Sequence, residues 1–116
     1  MTSVDKTRFA RIISMRAKPG KGNEFVKTFK EEVAPTGVKL EGIRRVYLLR
    51  PVGKRDEFVV VSLWDSQGAA EKYAKGRRIR QNAAALANVQ EGKERVRKFH
   101  VELHALGRTA RRPKKD

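Results

Sequence analysis

A chain of 116 residues, with 28 lysines and arginines, 13 aspartates and glutamates and no cysteine, is sized for one domain. It is long enough to bury a core without covalent staples, and the lack of cysteine excludes disulfide frameworks, thiolate nucleophiles and cysteine metal sites. A formal net charge of +15 favours anionic partners. The cations are spread over every segment, however, with local clusters at Arg77-Arg78-Ile79-Arg80 and Arg111-Arg112-Pro113-Lys114-Lys115. No apolar run approaches the ~20 residues of a membrane span. The opening Met1 to Arg8 lacks the apolar middle of a signal peptide. A soluble, cytoplasmic protein without membrane contact is expected.

In chain order, Phe9 to Ala17 is rich in β formers and alternates loosely, Arg11, Ile13 and Met15 against Ile12, Ser14 and Arg16. It reads as a first strand, stopped by Lys18-Pro19-Gly20-Lys21-Gly22-Asn23. Phe25, Val26, Phe29 and Val33 then fall at helical spacing, and Pro35 with Gly37 is expected to end that helix. Leu40 to Leu49 reads as a second strand, Ile43, Tyr47 and Leu49 on one face, Val46 and Leu48 on the other. The segment from Arg50 to Asp56 is a hairpin connection, and Phe58 to Trp64 a third strand, so continuously apolar that both its faces should be covered.

The next transition is the sharpest in the chain. Val59-Val60-Val61-Ser62-Leu63-Trp64 gives way to Asp65-Ser66, either of which can cap a helix, and then to Gln67-Gly68-Ala69-Ala70. Ala69, Ala70, Tyr73 and Ala74 make the inner stripe of this second helix. Gly76 interrupts it, and a further helical piece runs from about Arg78 to Val89. Val96 to Leu106 is the last strand, Phe99, Val101, Leu103 and Ala105 alternating with His100, Glu102 and His104. The expected organisation is a flexible N-terminus over 1–7, one domain over 8–106 and a basic disordered tail over 107–116. The order β-α-β-β-α-β is the α+β, ferredoxin-like arrangement with an antiparallel sheet. One helical layer leaves the other sheet face bare, which predicts a homodimer packed sheet against sheet.

Lys18-Pro19-Gly20-Lys21 after the first strand, Leu49-Arg50-Pro51 after the second and Leu63-Trp64-Asp65-Ser66 opening the second helix resemble the antibiotic-biosynthesis monooxygenase superfamily. The resemblance covers about residues 8–106 and is nearest to the heme-degrading branch. It implies a dimeric α+β barrel that oxidises an aromatic or tetrapyrrole substrate in a cleft between helices and sheet. The heme-degrading branch carries an asparagine on the first strand, a tryptophan on the second helix and an iron-ligating histidine nine or ten residues later. In register, those positions are here about Ile13, then Tyr73, then Asn82 or Ala83, and all three depart from the pattern. Asparagine is a poor substitute for the imidazole heme iron takes. Heme thus enters as a possible substrate, and no cofactor is expected.

Other members of the superfamily oxidise polyphenols without a cofactor, and in that chemistry Tyr73 and Asn82 are the candidate catalytic residues, a phenol and an amide able to hydrogen-bond a substrate. Ile13, Trp64, Arg80 and His100 are the candidate substrate-binding residues, Arg80 for developing negative charge. No metal site is expected. His100-Val101-Glu102-Leu103-His104 has the composition of a two-histidine, one-carboxylate iron site, but residues two apart on a flat strand lie roughly 7 Å apart, so it reads as a polar strand face. Pro19-Gly20-Lys21-Gly22 lacks the spacing and ending of a phosphate loop.

Two functions fit this chain. One is a small oxygenase whose basic surface attracts an aromatic or anionic substrate. The other is a non-catalytic dimeric binding protein that uses its charge on nucleic acid or another anionic partner. With one tryptophan, two tyrosines and five phenylalanines, and Phe25, Phe29 and Phe58 assigned to the core, few rings remain for base stacking. Nucleic acid is the less favoured partner.

Overall fold

A computed structural model describes residues 7–110. Four strands, β1 (Phe9–Arg16), β2 (Ile43–Leu49), β3 (Glu57–Trp64) and β4 (Arg95–His100), form one antiparallel sheet in the order β2-β3-β1-β4. Between β1 and β2 runs a long helix, α1, over residues 22–37. Between β3 and β4 lie α2 (Gln67–Ala74) and α3 (Arg77–Leu86). This is the ferredoxin-like α+β arrangement expected from the sequence. The proposed flexible residues 1–6 and the basic cluster 111–116 lie outside the described residues.

The helices cover one sheet face. Along β3 the side chains alternate: Phe58, Val60, Ser62 and Trp64 are buried, while Glu57, Val59, Val61 and Leu63 are half-buried on the far face. The expectation that β3 is covered on both sides therefore differs from what one chain provides. Under the helices, the Phe25 and Phe58 rings stack at 4.5 Å with planes 9° apart, and Phe29, Val33, Val60, Leu86 and Val89 close around them. A second, smaller cluster joins Phe9, Trp64 and Ala70.

Three elements differ from the sequence-based expectation. The first helix does not stop before Pro35: an α-helical part (Gly22–Thr28) passes through a π-helical turn (Phe29–Val33) into a last turn (Ala34–Gly37). In that widened turn the Ala34 N–H reaches the Phe29 carbonyl. A proline lacks the N–H of a regular turn and its ring crowds the carbonyl four residues back; here it sits in the opening turn of the last part, where neither matters. In β2, a bulge between Ile43 and Arg45 shifts the register, so Ile43 pairs with Trp64 and Val46 with Ser62. One extra residue turns Ile43 to the helix side with Val46 and Leu48, not to the far side with Tyr47 and Leu49. Finally, β4 ends at His100, not Leu106. It is an edge strand whose neighbour among the described residues, β1, begins at Phe9, and the last backbone bond between them runs from the Val101 N–H to the Arg8 carbonyl at 3.0 Å.

The loop from Pro19 to Gly22 holds an anion, but the chain's own. The Asp56 carboxylate accepts from the Gly20 N–H at 3.2 Å and the Gly22 N–H at 3.0 Å. A Cβ at Gly22 would run into the Arg55 carbonyl and that same carboxylate. The loop therefore ties the start of α1 to the β2–β3 hairpin.

Candidate functional site

Between the helices and the sheet is a cleft of about 110 Å³. Arg11 and Ile13 of β1 with Val60, Ser62 and Trp64 of β3 form its sheet wall; Phe29 and Val33 of the π-helical turn and Tyr73, Asn82 and Leu86 form its helix wall. The widened turn therefore faces the cleft. Most of the wall is apolar, and the polar groups are few.

The central polar contact is a hydrogen bond from Asn82 Nδ2 to the Tyr73 hydroxyl, 3.0 Å long. In an unbroken α-helix, residues nine apart lie about 13.5 Å along the axis and on opposite faces. The break at Gly76, which adopts extended backbone (φ −89°, ψ 175°), redirects α3 and brings the two side chains together. Ser66 rather than Asp65 caps α2, its Oγ accepting from the Ala69 N–H at 3.1 Å; Asp65 instead holds Arg44 at 2.7 Å.

Trp64 is buried, its ring centre 5.6 Å from that of Tyr73. Its indole N–H donates to Ser62 Oγ at 2.9 Å, two residues away on the same strand face, so the ring orientation is fixed from below. Of the residues singled out from the sequence, Ile13, Trp64, Tyr73 and Asn82 line the cleft. Both candidates for the histidine position, Asn82 and Ala83, line it as well. Arg80 does not: it is exposed on α3, a turn position away from the inward row Ile79, Asn82, Ala83 and Leu86. His100 is not brought there either, and packs edge-on against Phe9 at 5.8 Å. With β4 ending at His100, the three residues of the His100–His104 motif share no strand face, and no group of metal-binding side chains assembles among the described residues.

Arg11 is the cleft residue that sequence reasoning missed. It is buried on the helix side of β1, with its guanidinium 5.6 Å from the Tyr73 ring centre. Burial lowers its pKa from the ordinary arginine value, while Tyr73 and Glu94 act in the opposite sense. The signal was present in the alternation itself: a charged residue in line with Ile13 and Met15 on the inward face of a strand.

A ferredoxin-like antiparallel sheet with a cleft beneath its helices is the class this chain represents. The model of the antibiotic biosynthesis monooxygenase family matches residues 8–85, well over half the chain, and the protein belongs to that family. Among solved structures it is similar to a protein of unknown function from Nitrosomonas europaea, at 16% identity over 88% of this chain and 96% of that one, with a TM-score of 0.74. It is also similar to SnoaB, a cofactor-independent oxygenase from Streptomyces nogalater, at 18% identity over 84% and 96% with a TM-score of 0.72. A third similar structure is PA3566 from Pseudomonas aeruginosa, at 14% identity over 84% and 96% with a TM-score of 0.67. No curated protein sequence matches the chain. No helix among the described residues is long and apolar enough to cross a membrane.

Proposed function

We propose that this protein is a homodimeric oxygenase of small phenolic compounds, with Tyr73 and Asn82 meeting the substrate oxygen and Ile13 and Trp64 flanking its ring. The observation that carries this reading is the Tyr73–Asn82 hydrogen bond in a cleft whose wall is mostly apolar. Having accepted from Asn82, the tyrosine hydroxyl keeps its own proton to donate to an acceptor in the cleft. An engineered cavity of about 150 Å³ takes benzene; the space here, about 110 Å³ and open on one side, suits one aromatic ring seated partly in the cleft, with the rest of the molecule in the open mouth. A tetrapyrrole is far larger than that space.

The chemistry balances without a reductant. Dioxygen oxidises a ring carbon conjugated to an ionised phenol to a carbonyl; one oxygen atom enters the product, and the other leaves as water with two hydrogens from the substrate. The protein's part is to bind the ring, stabilise the anion and exclude water. The description of SnoaB as a cofactor-independent oxygenase supports a reading without cofactor. Oxygen uptake with a panel of naphthols and other phenols whose para carbon carries hydrogen tests it. We expect one dioxygen consumed per quinone formed, with one labelled atom retained from ¹⁸O₂, and an activity about 10²-fold lower for Tyr73→Phe, the scale for losing one aligned donor. No uptake by the wild type across the panel would sink the proposal.

The homodimer rests on the far sheet face, where Ile12, Val59, Val61 and Leu63 are half-buried in one chain, while Tyr47 and Leu49 are 46% and 47% exposed. A contiguous apolar face of this kind marks an interaction surface. Light scattering should give twice the 13.2 kDa of one chain, and Val61→Arg should return it to one; a wild-type mass near 13.2 kDa overturns the proposal.

A further inference from the structure

Arg11 is 6% exposed, and its Nε has no hydrogen-bond partner among the described residues. No carboxylate among them is ion-paired with it: Glu94, the acid that lines the same cleft, is exposed and accepts from Gln90 Nε2 at 3.0 Å. Its cross-strand neighbours are Ser62 on β3 and Lys98 on β4; the serine offers no charge and the lysine has the wrong sign. A buried cation that no carboxylate contacts directly is a costly arrangement in a folded chain, and the exposed Glu94 offsets it only from a distance. Here it is held against the Tyr73 ring, beside the hydroxyl that Asn82 orients. A buried, incompletely bonded cation and an aligned O–H donor thus share one apolar cleft.

We propose that Arg11 is the oxyanion anchor of this cleft, its guanidinium taking the ionised phenol oxygen of an aromatic ligand, with the Tyr73 hydroxyl as second donor. The proposal rests on the reading of the cleft as the substrate site and names the substrate's charge: the ligand is bound as a phenolate. Arginine suits the task because it stays protonated when buried and presents several donors in a planar fork. An opposite charge at about 4–6 Å lowers the pKa of an acid by about 1–3 units, so a phenol gives up its proton to solvent at the open mouth as it binds and is held in the cleft as the phenolate. Neutral ethers of the same shape lose this advantage, and aromatic amines, which are cations when protonated, meet a like charge.

The probe is 4-nitrophenol, which titrates near neutrality and whose phenolate is coloured, with 4-nitroanisole as its neutral counterpart. In the wild type the apparent pKa of bound 4-nitrophenol should fall by at least one unit, equivalent to a phenolate held about tenfold or more tighter than the phenol. In Arg11→Met that preference should shrink to about twofold or less, while Arg11→Lys restores part of it. Binding of 4-nitroanisole should change far less across the three than binding of the phenolate. If wild-type protein binds both probes with no shift in the phenol's pKa, the anchor is refuted and the cleft stands. If neither probe binds, the reading of the cleft as substrate site fails with it. A benzoate that binds tightly through Arg11 while 4-nitrophenol shows no shift also overturns the phenolate assignment. The wild-type titration decides the matter even if Arg11→Met does not fold.

Discussion

Phe58→Ala should destabilise the protein by about 3–5 kcal/mol, the range for deleting a fully buried aromatic side chain. Phe58 is 1% exposed and lies parallel to Phe25, with ring centres 4.5 Å apart. On its other side the Arg50 guanidinium covers the ring at 4.9 Å. The strand around it is pinned on both sides by β1 and β2, so the backbone has little freedom to collapse into the space. With total stabilities of about 5–15 kcal/mol for domains of this kind, the loss takes up much of what is available. Urea denaturation measures it, and a loss below about 1 kcal/mol would show that the site relaxes. Phe58→Leu, which keeps most of the volume, should cost clearly less. The double substitution with Phe25→Ala should fall short of additivity, since stacked pairs couple by about 0.5–1.5 kcal/mol.

Gly42→Ala should cost about 2–6 kcal/mol through two separate causes. Gly42 has φ +86°, a conformation that penalises any side chain by about 1–3 kcal/mol. A Cβ there would also lie 2.5 Å from the Cβ of Ala69 on α2, and overpacking of that kind adds about 1–3 kcal/mol. The two causes separate experimentally. Ala69→Gly in the Gly42→Ala background removes the collision and leaves the backbone penalty, so it should recover part of the loss. Full recovery would mean that φ is not limiting; no recovery would mean that the helix had already moved aside. Ala69 is one turn before Tyr73, so a displaced α2 should also loosen the Tyr73–Asn82 contact, visible as lower activity in the folded fraction.

Local signals carried most of the fold. The change from Val59–Trp64 to Ser66–Ala70 marks the strand-to-helix junction because β-branched residues, a cap and small helix formers each act over a few residues. Gly76 marks the helix break for the same reason. What could not be read locally depends on partners far away in the chain. Ile43 looked as though it shared a face with Tyr47, because a bulge changes the alternation without changing residue type. Pro35 looked like a stop, because nothing nearby announces a π-helical turn. The strand pattern of residues 101–106 is real, but β1 offers no partner there. The candidate site was legible in part: Tyr73 and Asn82 could be placed by register, but their contact needs the bend between two helices. Arg11 was visible on the inward face of β1, and only the packed cleft shows that no carboxylate among the described residues is ion-paired with it.

The bulge in β2 also bears on how the protein behaves at high concentration. A sheet edge with open N–H and C=O groups invites another strand to add, the first step toward fibrils. On the β2 edge the irregular register at Ile43–Arg45 interrupts that row, and Arg44 and Arg45 are exposed beside it. On the opposite edge Arg95, Arg97 and Lys98 are exposed along β4. Two molecules approaching edge to edge thus bring cation against cation. Part of the +15 charge in this way acts as protection against open-ended strand addition.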